Sequence, residues 1–267
     1  MKLLHARLAL AAIAGREIHK FLRQPGRLAS SLVRPLLWMV VFAAGFRQMP
    51  DLGSVVPFDP NLDYRLYMVP GLALMVCLFN GMQSSLAMVY DREMGVMRLL
   101  LTAPLPRTYL LACKLMGGAF LSVLQAMAYM ILVVIWNIGL SPWQVITALP
   151  ALVAGALMLS AFGLMLSVYI RQLENFAGTM NFVIFPMFFL SSALYPIRRM
   201  QDAGADWIFR ISSLNPFTHA VESLRHALYG EVSGSLFVVL ASTLLFYLIA
   251  AAGYDPQRGL IKSARGG

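Results

Sequence analysis

The sequence predicts an all-α, polytopic membrane protein with six transmembrane helices. An N-terminal amphipathic interfacial helix precedes them, and an outer re-entrant segment precedes the last. Three observations carry this. The 267 residues are 59% hydrophobic and only 12% charged, against roughly 45–50% and 25% in a soluble domain. Mean hydropathy is +0.71. Long runs lack any Asp, Glu, Lys or Arg, including 56 residues from Leu115 to Ile170. One soluble core cannot hide that much apolar surface, so the bilayer is the expected solvent. The two cysteines, Cys77 and Cys113, sit in or beside apolar runs and read as small hydrophobes.

Residues 1–27 form the first unit. Leu4, Leu8, Ala11, Gly15, Ile18 and Leu22 share one helical face, and Arg16, Lys20, Arg23 and Arg27 another. That division predicts a cytoplasmic helix lying on the membrane surface, its cations toward anionic headgroups. The short apolar run Leu8–Ala14 followed by more charge argues against a cleaved leader. Pro25 and Gly26 end the helix.

The six-helix body covers 28–254. Its first span is expected over 28–46, with Arg34 near the cytoplasmic end, where its head reaches the lipid headgroups. An outer loop with Asp51, Asp59 and Asp63 follows. The second span, 66–89, lies in a charge-free run of 25 residues, Leu66–Tyr90. Its Asn80, Gln83, Ser84 and Ser85 suit interhelical hydrogen bonds or a polar path. A basic interlude over 91–114 comes next. The 56-residue run is too long for one span, and Asn137, Gly139, Ser141 and Pro142 turn it into a hairpin of spans 110–136 and 144–169. The fifth span, 175–196, contains Pro186. Residues 197–231 mix charge with Trp207, Phe209 and Phe217, which predicts a segment that dips into the interface. The sixth span is 232–252, and a basic tail covers 255–267.

Charge sets the orientation. With the N-terminus inside, the inner segments hold 15 cations and 5 acids, and the outer ones 6 and 7. Both termini are then cytoplasmic, as expected of a multi-pass protein of a bacterial cytoplasmic (inner) membrane. Membrane orientation and lipid headgroups explain the net charge of +9 without nucleic acid.

The chemistry is mostly a matter of what is missing. Spans two to six have no charged residue in their interiors, and the four histidines lie outside all spans. A proton relay has nothing to run on. None of the four lysines stands in a Gly-Lys-Ser/Thr phosphate cradle. Uphill transport would therefore need a motor on another subunit, meeting the cytoplasmic interlude. Met94, Val96, Met97, Leu99 and Leu100 could pack into a partner's groove there; the bland reading is a solvated, orienting loop. His219, Glu222 and His226 share a helical face, but three ligands over two turns of one helix converge poorly on one ion; no metal site is expected. In the fifth span Phe185, Phe188 and Phe189 are candidates, with Asn80 and Gln83, for lining a translocation path; packing is the default role of such aromatics.

The run Val89-Tyr-Asp-Arg-Glu-Met-Gly-Val-Met-Arg-Leu-Leu-Leu-Thr-Ala-Pro-Leu-Pro-Arg107 resembles the signature loop of ABC type-2 export permeases. Asn215-Pro216 with Glu222 and Arg225 is similar to that family's segment before the last span, and Val69-Pro-Gly71 fits as well. The likeness covers essentially the whole chain; 28–107 looks closest to the branch associated with PQQ-dependent alcohol oxidation. The resemblance implies a homodimer on two cytoplasmic ABC ATPase subunits, which bind the ATP and Mg; this chain needs no cofactor and is not an enzyme. It assigns ATPase coupling to Asp91, Arg92, Glu93, Met94, Gly95, Met97 and Arg98. The competing expectation is a self-sufficient secondary transporter or channel.

Overall fold

A computed structural model of the chain describes residues 25–45, 63–95, 106–170, 172–197 and 204–254, with Gly15 and Gln201 as isolated positions. Nine helices are described: α1 (Pro25–Gly45), α2 (Tyr64–Glu93), α3 (Arg107–Ile135), α4 (Pro142–Thr147), α5 (Leu149–Tyr169), α6 (Leu173–Phe189), α7 (Asp206–Leu214), α8 (Pro216–Leu228) and α9 (Ser235–Gly253). No strand occurs among the described residues. The expected helix over 3–23, the outer loop up to 62, the loop 96–105 and the tail 255–267 lie outside the described residues.

Four helices are long and apolar enough to cross a membrane: Tyr64–Glu93, Thr108–Ile135, Leu149–Tyr169 and Ser235–Gly253. At 1.5 Å per residue the shortest, 19 residues, reaches about 28 Å, close to the hydrocarbon thickness. The other two helices expected to span are α1, 21 residues with an apolar stretch of Ser31–Phe42, and α6, which has 17 residues.

The long helices end where their sequences change. Asp63 caps α2, its carboxylate accepting from the Arg65 N–H. The hairpin between α3 and α5 turns at Asn137 and Gly139, both with positive φ. Ser141 and Gln144 then form a reciprocal capping box around Pro142. This starts α4, which breaks at Ala148 before α5, so the fourth apolar run is two helices.

The core is built around α2, which packs against α1, α3, α5, α6 and α8. Its residues Tyr67 to Leu78 are buried almost without interruption. A stretch apolar on every face lies in a core or a membrane, and here other helices enclose it. The α2–α5 crossing is close because small residues meet there. A Cβ on Gly81 would stand 3.1 Å from the backbone at Leu159 and Ser160. One on Gly163 would stand 3.0 Å from the Gly81 carbonyl oxygen. Helices without a hydrophobic drive between them associate through such backbone approach. In contrast α9 packs on α5 and α8 along one side only, and Phe237, Leu240, Leu244, Leu245 and Leu248 are exposed.

The fifth helix departs most from expectation. Helix was expected to 196; α6 stops at Phe189, and 190–197 is an irregular stretch. Ser191 to Leu194 is nonetheless buried. Pro186 supplies no N–H to the ladder, and a side chain from far along the chain ends the helix. Asn215 Nδ2 donates to the carbonyls of Met187 (2.7 Å) and Leu190 (2.6 Å).

Candidate functional site

Three consecutive charges close α2, and each reaches a different helix. Asp91 is buried and pairs with Lys114 of α3 at 3.3 Å. Arg92 donates from Nη2 to the carbonyls of Ser167 and Ile170, at the C-terminal end of α5. Glu93 Oε1 accepts from the N–H of Leu173, the first residue of α6, at 2.9 Å. The signs suit the partners: a cation meets a helix C-terminus and an anion meets a helix N-terminus. The α2 terminus is thus clasped to α3, α5 and α6 at once. Tyr247 of α9 joins at the same end, its hydroxyl donating to the Thr108 carbonyl at 2.8 Å.

Past the clasp the chain faces outward. Met94 is exposed, and Gly95 turns with φ 72°, a left-handed conformation that favours glycine. Met97 and Arg98 lie outside the described residues. So of the seven residues assigned to coupling, Asp91, Arg92 and Glu93 hold this chain's own helices, and Met94 and Gly95 present themselves beyond.

At the opposite end of α2 a second set of polar side chains grips 190–194. The Tyr64 and Tyr67 hydroxyls donate to the carbonyls of Leu194 (2.9 Å) and Ser192 (3.0 Å). Arg225 of α8 donates to the Ser192 carbonyl at 2.8 Å, lies over the Tyr67 ring at 4.0 Å, and pairs with Glu222. Burial alone would favour the protonated Glu222 carboxyl; the Arg225 charge and its hydrogen bond outweigh it, and the pKa lies below the usual value. His219 Nε2 lies 3.0 Å from the Ser213 carbonyl, and His226 Nδ1 lies 2.8 Å from the Glu222 carbonyl. Each of the three would-be ligands thus has a partner of its own, and no cluster of three His, Cys, Asp or Glu forms among the described residues.

The path candidates divide. Asn80 is buried, and Gln83 lies half-buried in a cleft between α1 and α2. Phe185 and Phe189 stack at 6.4 Å and are partly exposed. Phe188 is fully buried against Trp38, Phe189 and Phe217. Arg34, expected to reach headgroups, instead lies with its guanidinium 3.8 Å over the Phe79 ring. Sequence reasoning gave no role to Phe79 or Trp38; their neighbours at this cleft come from other helices, which local spacing does not reveal.

Residues 9–229 match the family model described as ABC-2 type transporter. The chain is similar to the transport permease ycf38 of Porphyra purpurea, 31% identical over 76% of this chain and 68% of that one. It is similar over nearly its full length to the inner membrane transport permease YadH of Escherichia coli K12, 24% identical over 95% of this chain and 97% of the relative. The multidrug ABC transporter permease YbhR of the same strain is 28% identical over 61% of this chain and 43% of the relative.

Proposed function

The chain belongs to the ABC-2 type transporter family, as the membrane subunit of an ABC transporter, and from that premise we propose that it is the permease of an exporter. It works as a homodimer whose path is opened and closed by two cytoplasmic ATPase subunits, which bind ATP and Mg. It sits in a bacterial cytoplasmic membrane with both termini inside. The relatives are named permeases of an inner membrane and of a multidrug transporter, which supports this placement and an outward direction.

The observation that carries the reading is the clasp. A motor subunit pressing on 94–98 pushes on the end of α2. Asp91, Arg92 and Glu93 pass that displacement to α3, α5 and α6 together. A solvated orienting loop would not need all three charges bonded to separate helices. The exposed apolar face of α1 (Val33, Leu37, Val40, Val41) and the exposed Phe182 of α6 support a protomer contact there.

Transport into inside-out vesicles, with and without a partner ABC ATPase, tests the reading. We expect uptake that requires nucleotide and the partner, and co-purification of the two. Replacing Glu93 by Arg, or Arg98 by Glu, is expected to cut uptake at least tenfold. Retention of no ATPase, with both variants transporting normally, would overturn the coupling assignment. Accumulation driven by an ion gradient alone would make the chain a secondary transporter.

A further inference from the structure

The cleft between α1 and α2 holds a cation whose hydrogen-bond donors are unspent. It is a shallow, open cleft lined by Ser31, Arg34, Met75, Phe79, Asn80 and Gln83. The Phe79 ring covers one face of the Arg34 guanidinium. Stacking uses the face of that group and leaves its five N–H donors in the plane. Arg34 makes no hydrogen bond or ion pair among the described residues. Asn80 is 6% exposed, and its Nδ2 finds no acceptor.

Among the described residues, the helices around the cleft offer no counter-charge. α1 contains no Asp or Glu, α2 has none between Tyr64 and Tyr90, and α6 has none beyond Glu174. The set lies within the helices. Arg34 stands nine residues into α1 and Gln83 ten residues before Glu93, each about 14–15 Å from its helix end. Cations inside membrane helices pair or mark a substrate route. What is missing is an acceptor carrying negative charge.

An aromatic row leads away from this head. Phe79 meets Phe185 edge-on at 6.5 Å, Phe185 stacks on Phe189, and Trp38 lies 5.4 Å from Phe189. Phe185 and Phe189 present open apolar surface.

We propose that Arg34 and Asn80 bind the anionic head, phosphate or carboxylate, of an amphiphile whose apolar tail lies along Phe79, Phe185 and Phe189. This rests on the permease reading and names the cargo class of its path.

The test is binding to the isolated full-length permease in a neutral maltoside detergent, read by native mass spectrometry. Four probes are used: dodecyl phosphate, dodecanoate, zwitterionic dodecylphosphocholine and inorganic phosphate. Dodecyl phosphate and dodecanoate are expected to bind saturably and at least tenfold tighter than dodecylphosphocholine. Arg34→Gln should weaken both at least tenfold, and Arg34→Lys should restore part of the loss. Phe185→Ala should weaken dodecyl phosphate severalfold without moving inorganic phosphate. Should Arg34→Gln not fold, Asn80→Asp places a carboxylate beside the cation and is expected to have the same effect. Equal affinity for the zwitterionic probe, or anion binding unchanged in these variants, would overturn the proposal. Inorganic phosphate binding as tightly as dodecyl phosphate would overturn its amphiphile half. No ATPase enters this measurement, so its failure leaves the coupling reading standing, and a failure of coupling leaves the binding result standing.

Discussion

Arg225 shows how much one side chain can hold. It is 4% exposed, and it satisfies Glu222, the Ser192 carbonyl and the face of Tyr67 together. Removing one member of a buried ion pair leaves the other charged and unpaired, at a cost of about 3 kcal/mol. Glu222→Gln is expected to lower the melting temperature in detergent by several degrees, and the double change with Arg225→Met by less than the two single losses added, as thermal unfolding would measure. The sign of the pH response follows from the depressed Glu222 carboxyl. Stability from the pair is present above the ordinary carboxylate pKa and is lost as pH falls through the lower value reached in the fold. Acid melting curves of wild type and Glu222→Gln should converge at low pH.

Between elements, two devices decide the packing. Gly81→Val would drive a branched side chain into the α5 backbone. Overpacking of that kind costs about 1–3 kcal/mol, and reduced yield of folded, monodisperse protein is the expected readout. Arg92→Gln removes the cation from the α5 C-terminus, a loss of about 1 kcal/mol. Its larger effect is expected on coupling: ATPase activity of the assembled complex retained, transport per ATP reduced severalfold. These elements were unequally legible in the sequence. The bodies of α2, α3, α5 and α9 follow from charge-free length alone. The end of α6 does not, because 190–194 keeps apolar letters and the terminating Asn215 stands 25 residues beyond Leu190. The cluster Asp91-Arg92-Glu93 was readable as a cluster. Its partners were not, because two of the three charges bond backbone groups (Ser167, Ile170, Leu173), and any residue type carries those. The ring contact of Arg34 was illegible for a related reason. Spacing along one helix gives depth, and only the neighbouring helix supplies the Phe79 ring.

At the scale of the molecule, burial is uneven. α2 is enclosed on nearly every side while α9 offers a leucine-rich face to its surroundings. Lipid is as apolar as leucine, so such a face gains little from leaving it. Leu240, Leu244 and Leu248 changed together to Ile or Val are expected to shift the melting temperature by less than about 2 °C, while Leu72→Ala in the enclosed helix should cost about 2–5 kcal/mol. Both ends of α2 are anchored, one by the charge clasp and the other by Tyr64 and Tyr67 on the buried bend after α6. A rod pinned at both tips is expected to carry a shove from its base to its crown. Events on opposite leaflets should therefore share one relaxation rate, and probes fixed near Met94 and near Leu194 should report a single exchange process.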